Sequence, residues 1–132
     1  MASAFWGDHV NHESSLKILA TATPANSACS AHSLAELYST LTRLPVRPPL
    51  SPEQVLLFIE DVSRHLNVIP LDETDYLSAI RETAERKQTG GLIYDALLLA
   101  SARKWKAKII YTYNLKHFRE LAPDLAGIIR TP

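Results

Sequence analysis

Three oxygen-bearing side chains, Glu36, Asp95 and Asn114, stand where an α/β chain places its reactive groups. In open α/β sheets, ligands bind outside the carboxyl ends of the strands. Glu36 falls in the first turns of the helix expected after a short strand, Ala28 to Ala31. Asp95 sits near the start of an unusually apolar helix, and Asn114 comes directly after a β-branched and aromatic run, Ile109 to Thr112. Converging at one sheet edge, two carboxylates and an amide oxygen suit a hard divalent cation, Mg²⁺ or Mn²⁺. Such an ion activates water and stabilises charge developing at a phosphodiester. Helix N-termini around the pocket keep carboxylates ionised and assist phosphate binding, and Lys116 adds positive charge close by.

Each of the three also has a plainer explanation. Glu36 lies opposite the Leu34, Leu37 and Leu41 stripe on a helical wheel, as a solvated glutamate does. Asp95 complements the dipole at its helix N-terminus. Asn114 makes a good N-cap for the helix from Leu115 onward. Their coincidence at one edge is the more specific signal.

The elements that must position them read clearly along the chain. The pair Gly90-Gly91 allows a sharp turn, and Leu92 to Trp105 is apolar on nearly every side, the mark of a helix buried within a domain. Upstream, Met1 to Trp6 reads as the tail of a strand or loop, and Gly7 to Asn11 as a loop. A helix then runs from His12 through Ala20, with Leu16, Leu19 and Ala20 on one face. Ser33 to Arg43 is an amphipathic helix that stops at Pro45. Ser51-Pro52 restarts a helix with an N-cap serine and a proline at the first helical position. Asn67 to Leu71 is a strand whose Pro70 marks an edge or an end. Asp72 caps a helix through Lys87 whose buried stripe is Tyr76, Leu77, Ile80 and Ala84. Gly127 to Arg130 forms a last strand. This alternation of strands and helices argues for a parallel α/β sheet covered on both faces. No linker or repeat divides the chain, so residues 1–132 read as a single domain.

Composition narrows the function classes. The 132 residues are 46% hydrophobic and carry 14 basic and 14 acidic side chains, so bulk charge draws the chain to neither nucleic acid nor membrane. One cysteine, Cys29, excludes an internal disulfide, and in its small-residue run it reads as a buried, inert thiol. No apolar run reaches the length of a membrane span and the N-terminus lacks the charge-then-apolar layout of a signal peptide, which makes the cytoplasm the default expectation. There is no phosphate loop ending in Lys-Ser/Thr and no G-x-S-x-G elbow. The histidines, His9, His12, His32, His65 and His117, form no convincing metal cluster. Lys104, Lys106, Lys108, Lys116 and Arg119 are a scatter of positive charge most simply read as a solvated face.

The segments AHSLAELYSTLTRLP (Ala31 to Pro45), GGLIYDALLLASA (Gly90 to Ala102) and IIYTYNLKHF (Ile109 to Phe118) together resemble a PIN domain of the VapC-like toxin type, with matching order and spacing along nearly the whole chain. The resemblance implies a three-layer α/β/α sandwich around a central parallel sheet. It also implies a metal-dependent endoribonuclease, usually a homodimer, paired with a small antitoxin protein that blocks the site. Position by position, Glu36 and Asp95 match carboxylates that hold the cation. Asn114 falls where the family has an aspartate or asparagine that orients water or the phosphate, with Thr112 beside it as a polar contact to RNA.

Members of that family open with an apolar strand ending in an aspartate. Here Met1 to Trp6 aligns with the residues downstream of that motif, and Asp8 comes too late, in the loop before the first helix. The first strand is therefore expected to be truncated and the first carboxylate absent. A site reduced to two carboxylates holds Mg²⁺ more weakly, since that ion dehydrates reluctantly. The alternative function is accordingly a catalytically inactive PIN-like domain serving as a binding or dimerisation module.

Overall fold

The computed structural model of the chain describes residues 1–5, 7 and 9–132. Asp8, and Trp6 at the end of the first apolar run, lie outside the described residues. The chain divides into two compact units, Met1–Val68 and Ile69–Pro132.

The first unit holds helices α1 (Ala2–Phe5), α2 (His12–Ala20), α3 (Ala31–Leu41) and α4 (Pro52–His65), and strand β1 (Ala28–Ser30). Strand β2 (Asn67–Ile69) crosses into the second unit at its last residue and pairs with β1. The first residues are helical, not the tail of a strand: the Ala4 N–H already donates to the Met1 carbonyl at 2.9 Å, closing a tight turn. That turn is held to α2 by a 2.8 Å hydrogen bond between the Ser3 and Ser15 hydroxyls.

Local chemistry sets the helix boundaries. Ser30 accepts from the His32 N–H and starts α3 at Ala31, so β1 ends a residue earlier than the apolar run suggests. Ser51 and Gln54 form a reciprocal capping box at the head of α4, with Pro52 at its first position. The core of this unit has two parts. Leu37 and Leu41 of α3 pack with Val55 of α4, and Val62 and Leu66 pack with Ala22. Leu37, Leu41, Val55 and Val62 of the expected apolar faces are buried, whereas Tyr38 and Leu56, expected on the same faces, are 42% and 52% exposed.

The second unit comprises α5 (Glu73–Glu85), α6 (Leu92–Trp105), β3 (Ile110–Tyr111), α7 (Leu115–Leu121), a 3₁₀ turn (Pro123–Ile128) and β4 (Ile129–Arg130). Strands β3 and β4 are parallel, with Ile110 opposite Ile129 and Tyr111 opposite Arg130. The helices and the small parallel sheet give the α/β organisation that the alternation of elements predicts. The strands hydrogen-bond as two pairs, β1 with β2 and β3 with β4. Helix α6 spans the residues its sequence predicts. Gly90, at φ +64°, takes the left-handed conformation that glycine permits just before it, and Lys106, at φ +56°, ends it in the same region. Leu99 of α6 joins Phe118, Leu121, Ala122 and Ile129 in this unit's core.

The facing of α5 departs from the expected stripe. Tyr76, Leu77 and Ile80 are 38%, 44% and 48% exposed, whereas Ala79 and Thr83 are buried. Small residues at i and i+4 let two helix backbones approach closely. Thr83 also satisfies its own hydroxyl, which donates to the Ala79 carbonyl at 2.7 Å. Close approach has selected the small face over the greasy one. Helix α6 is also less enclosed than its composition suggests. Leu97, Leu99 and Ser101 are buried, its other apolar residues are partly covered, and Tyr94 is about half exposed.

Candidate metal and phosphodiester site

Of the residues singled out in sequence, Glu36 belongs to the first unit, and Asp95, Thr112, Asn114 and Lys116 to the second. Glu36 lies in the second turn of α3, beside the buried Leu37, and is itself partly buried rather than fully solvated. Among the described residues no hydrogen bond or salt bridge to another side chain engages its carboxylate.

Asp95 occupies the first turn of α6 and is also partly buried. Gly91 at the N-cap position has no side chain to satisfy the helix's first amides. Asp95 therefore lies close to the positive end of the helix dipole.

Asn114 stands at the N-cap position of α7 but does not cap it. Its φ and ψ are −98° and 56°, and its side chain makes no cap hydrogen bond. Two other contacts hold it. The Asn114 N–H donates to Thr112 Oγ1 at 3.1 Å, and its carboxamide Nδ2 donates to His117 Nδ1 at 3.0 Å. Thr112 is itself fixed, because its N–H donates to the Arg130 carbonyl at 2.9 Å and extends the β3–β4 ladder by one bond. The structure therefore brings Thr112, Asn114 and His117 together at the end of β3. Sequence reading passes over His117 because a polar side chain at i+3 leaves no trace in an apolar periodicity.

The positive scatter resolves into separate roles. Lys104 is bonded to Asp75 and Asp72, and Arg119 donates to the Ile129 carbonyl at 3.1 Å. Both are structural. Lys116 remains exposed beside Asn114 in the chain.

A cavity of about 280 Å³ opens between α5 and α6 in the second unit, among Ser78, Glu82, Arg86 and Lys104. None of the sequence-predicted site residues lines it. Its cations are spent on the fold: Arg86 donates to the Leu121 carbonyl at 2.6 Å and Lys104 holds Asp75.

The Asp95 carboxylate and the Asn114 carboxamide oxygen of the second unit, and separately the Glu36 carboxylate of the first, are hard oxygen donors of the kind a divalent cation takes. Among the described residues no three His, Cys, Asp or Glu side chains gather into a ready-made cage. Cys29 stays out of the chemistry, since burial pushes its thiol up to about 11 and keeps it protonated at neutral pH.

The sequence profile of the PIN domain matches residues 1–122. The chain is 36% identical over 80 residues to Ribonuclease VapC40 of Mycobacterium tuberculosis (strain ATCC 25618 / H37Rv), a match covering 61% of this chain and 59% of that protein. It is 30% identical over 98 residues to Ribonuclease VapC27 of the same strain, covering 74% of this chain and 70% of that protein. The chain thus spans under two thirds of VapC40's length. No solved structure matches it significantly.

Proposed function

Because the chain belongs to the PIN domain family, we propose that it is a divalent-metal-dependent endoribonuclease of VapC type, acting as the toxin of a toxin–antitoxin pair. The observation that carries this reading is positional. Within the family-matched residues, Asp95 heads α6 while Thr112 and Asn114 follow β3, the places where an α/β fold gathers chemistry.

In this reading Glu36 and Asp95 hold Mg²⁺ or Mn²⁺, directly or through water. The bound ion would lower the pKa of a water and neutralise charge at the phosphodiester. Asn114, fixed from behind by Thr112 and His117, orients the attacking water. Lys116, exposed two residues from Asn114, would offer a positive charge to an RNA phosphate, adding affinity that falls with salt. Thr112 contributes a polar contact to the same strand of RNA. A second copy of the chain and a small antitoxin protein are the proposed partners, and the cytoplasm the proposed place of action. Among the described residues no helix is long and apolar enough to cross a membrane.

The test is cleavage of single-stranded RNA by the purified chain in Mn²⁺, compared with Asp95→Asn. The variant should lose about 100-fold or more, since second-shell changes alone cost 10–100-fold at metal sites. Equal cleavage by both would remove Asp95 from the mechanism. No cleavage by either, with RNA binding retained, would favour the inactive binding module instead.

A further inference from the structure

We propose that His117 is a positioning residue: it holds the Asn114 carboxamide by its nitrogen and so turns the carbonyl oxygen outward, as an acceptor for a water molecule. This deepens the ribonuclease reading and rests on it for its functional consequence. The geometric part stands by itself.

The plain role for an asparagine at this position, capping the following helix, is not the one it fills. Its Nδ2 lies 3.0 Å from His117 Nδ1. A primary amide nitrogen can only donate, so Nδ1 must be the acceptor, which puts the ring proton on Nε2. Nδ2 and Oδ1 diverge from the same planar carbon. Fixing the nitrogen against the ring therefore points the oxygen the other way. No hydrogen bond among the described residues uses Asn114 Oδ1, and the residue is exposed.

The backbone allows little swing. The Asn114 N–H is tied to Thr112 Oγ1, and Thr112 is tied to β4 through Arg130. Only the side-chain torsions of Asn114 remain free, and the imidazole takes up that freedom. An unrestrained carboxamide would present NH₂ or oxygen about equally, and only the oxygen can accept from a water. His117 thus decides which chemistry Asn114 offers: acceptance from a nucleophilic water, not donation to a phosphate oxygen. Its sequence spacing is what makes this possible, since i and i+3 at a helix start bring the two side chains side by side.

Two measurements on the full chain test this. The first needs no RNA. In ¹⁵N-labelled protein at about pH 8, above the ordinary imidazole range, long-range ¹H–¹⁵N correlation should show His117 protonated on Nε2. One Asn114 side-chain amide proton should be shifted downfield, and His117→Ala should abolish that shift. A ring protonated on Nδ1, or an Asn114 amide indifferent to His117→Ala, overturns the proposal.

The second measurement is kinetic. Loss of one hydrogen bond predicts that His117→Ala lowers kcat by about 2- to 12-fold with KM little changed. His117→Asn, whose Oδ1 can take the place of Nδ1, should recover most of that loss. In an Asn114→Ala background, His117→Ala should have no further effect, and an additive loss would show that His117 acts elsewhere. Failure of the unmodified chain to cut RNA would overturn the ribonuclease reading, while the spectroscopic result would still decide the Asn114–His117 arrangement.

Discussion

Arg103 of α6 grips Asp124 of the 3₁₀ turn with two nitrogens, Nη2 to Oδ1 at 2.9 Å and Nε to Oδ2 at 3.3 Å. The fork joins the C-terminal end of the apolar helix to the segment that leads into β4. Bidentate geometry makes this the best-formed ion pair of the second unit, and a lysine could not reproduce it.

The Arg103 hydrogen bonds hold the Asp124 carboxyl below its usual value of 3.8. A carboxylate depressed on folding adds stability above its unfolded pKa, and that contribution is lost as pH falls through the folded value. Both groups are substantially exposed, so the pair is worth about 0.2–1 kcal/mol. Asp124→Asn should lower Tm by about 1–4 °C at neutral pH. The difference should vanish near pH 2, where the wild-type carboxyl is also neutral. Thermal melts followed by circular dichroism at the two pH values check this, and a gap that persists in acid would assign the effect to packing.

Helix α5 offers a contrast between bulk and fit. Ala79→Gly should destabilise the protein by about 1–2 kcal/mol, because it removes a buried methyl and a good helix former from the face that meets α6. Leu77→Gln, on the exposed stripe, should stay within about 0.5 kcal/mol of wild type. Urea denaturation of both variants decides the matter. The opposite ranking would mean that α5 packs on its bulky face after all.

Cys29 should behave as a protected thiol. With its pKa raised by burial to about 11, it should react with a disulfide reagent at pH 8 far more slowly than in the guanidinium-unfolded chain. Because the folded value is the higher one, the neutral thiol's contribution to stability is intact below pH 9 and lost as pH climbs through 11. Rapid labelling of the folded chain at pH 8 would contradict the burial.

Divalent cation binding should be visible without catalysis. If Glu36 and Asp95 hold the ion, Mn²⁺ at 100 times its Kd should stabilise the wild type by about 2.7 kcal/mol. Asp95→Asn should show little of that gain, and a chelator should reverse it. Equal stabilisation of both proteins would place the ion away from Asp95.

Much of this architecture could be read from the residues, for physical reasons that differ by element. The starts of α4 and α5 were legible because capping is local: Ser51 with Gln54, and Asp72 with Asp75, satisfy backbone amides within a single turn, whereas α3, expected from Ser33, starts at Ala31. Helix α6 was legible from composition and its flanking glycines. The orientation of α5 was not. Tyr76, Leu77 and Ile80 outweigh Ala79 and Thr83 on any hydrophobic scale, yet the smaller pair allows the closer approach. Strand lengths were overread, because an apolar run such as Ile109 to Thr112 says nothing about how much of it finds a hydrogen-bonding partner. At the candidate site, residue types pointed to Asn114, while its partner His117 became visible only once the turn after β3 had a shape.

Asp75 carries one further implication. Its Oδ2 accepts the Asp72 N–H in the capping box that begins α5, and the same oxygen accepts from Lys104 on α6. One carboxylate oxygen therefore both initiates a helix and docks it. Opening the first turn of α5 and releasing the end of α6 become a single event, and amide exchange with deuterated solvent should register the two segments together, as one cooperative unit of the fold.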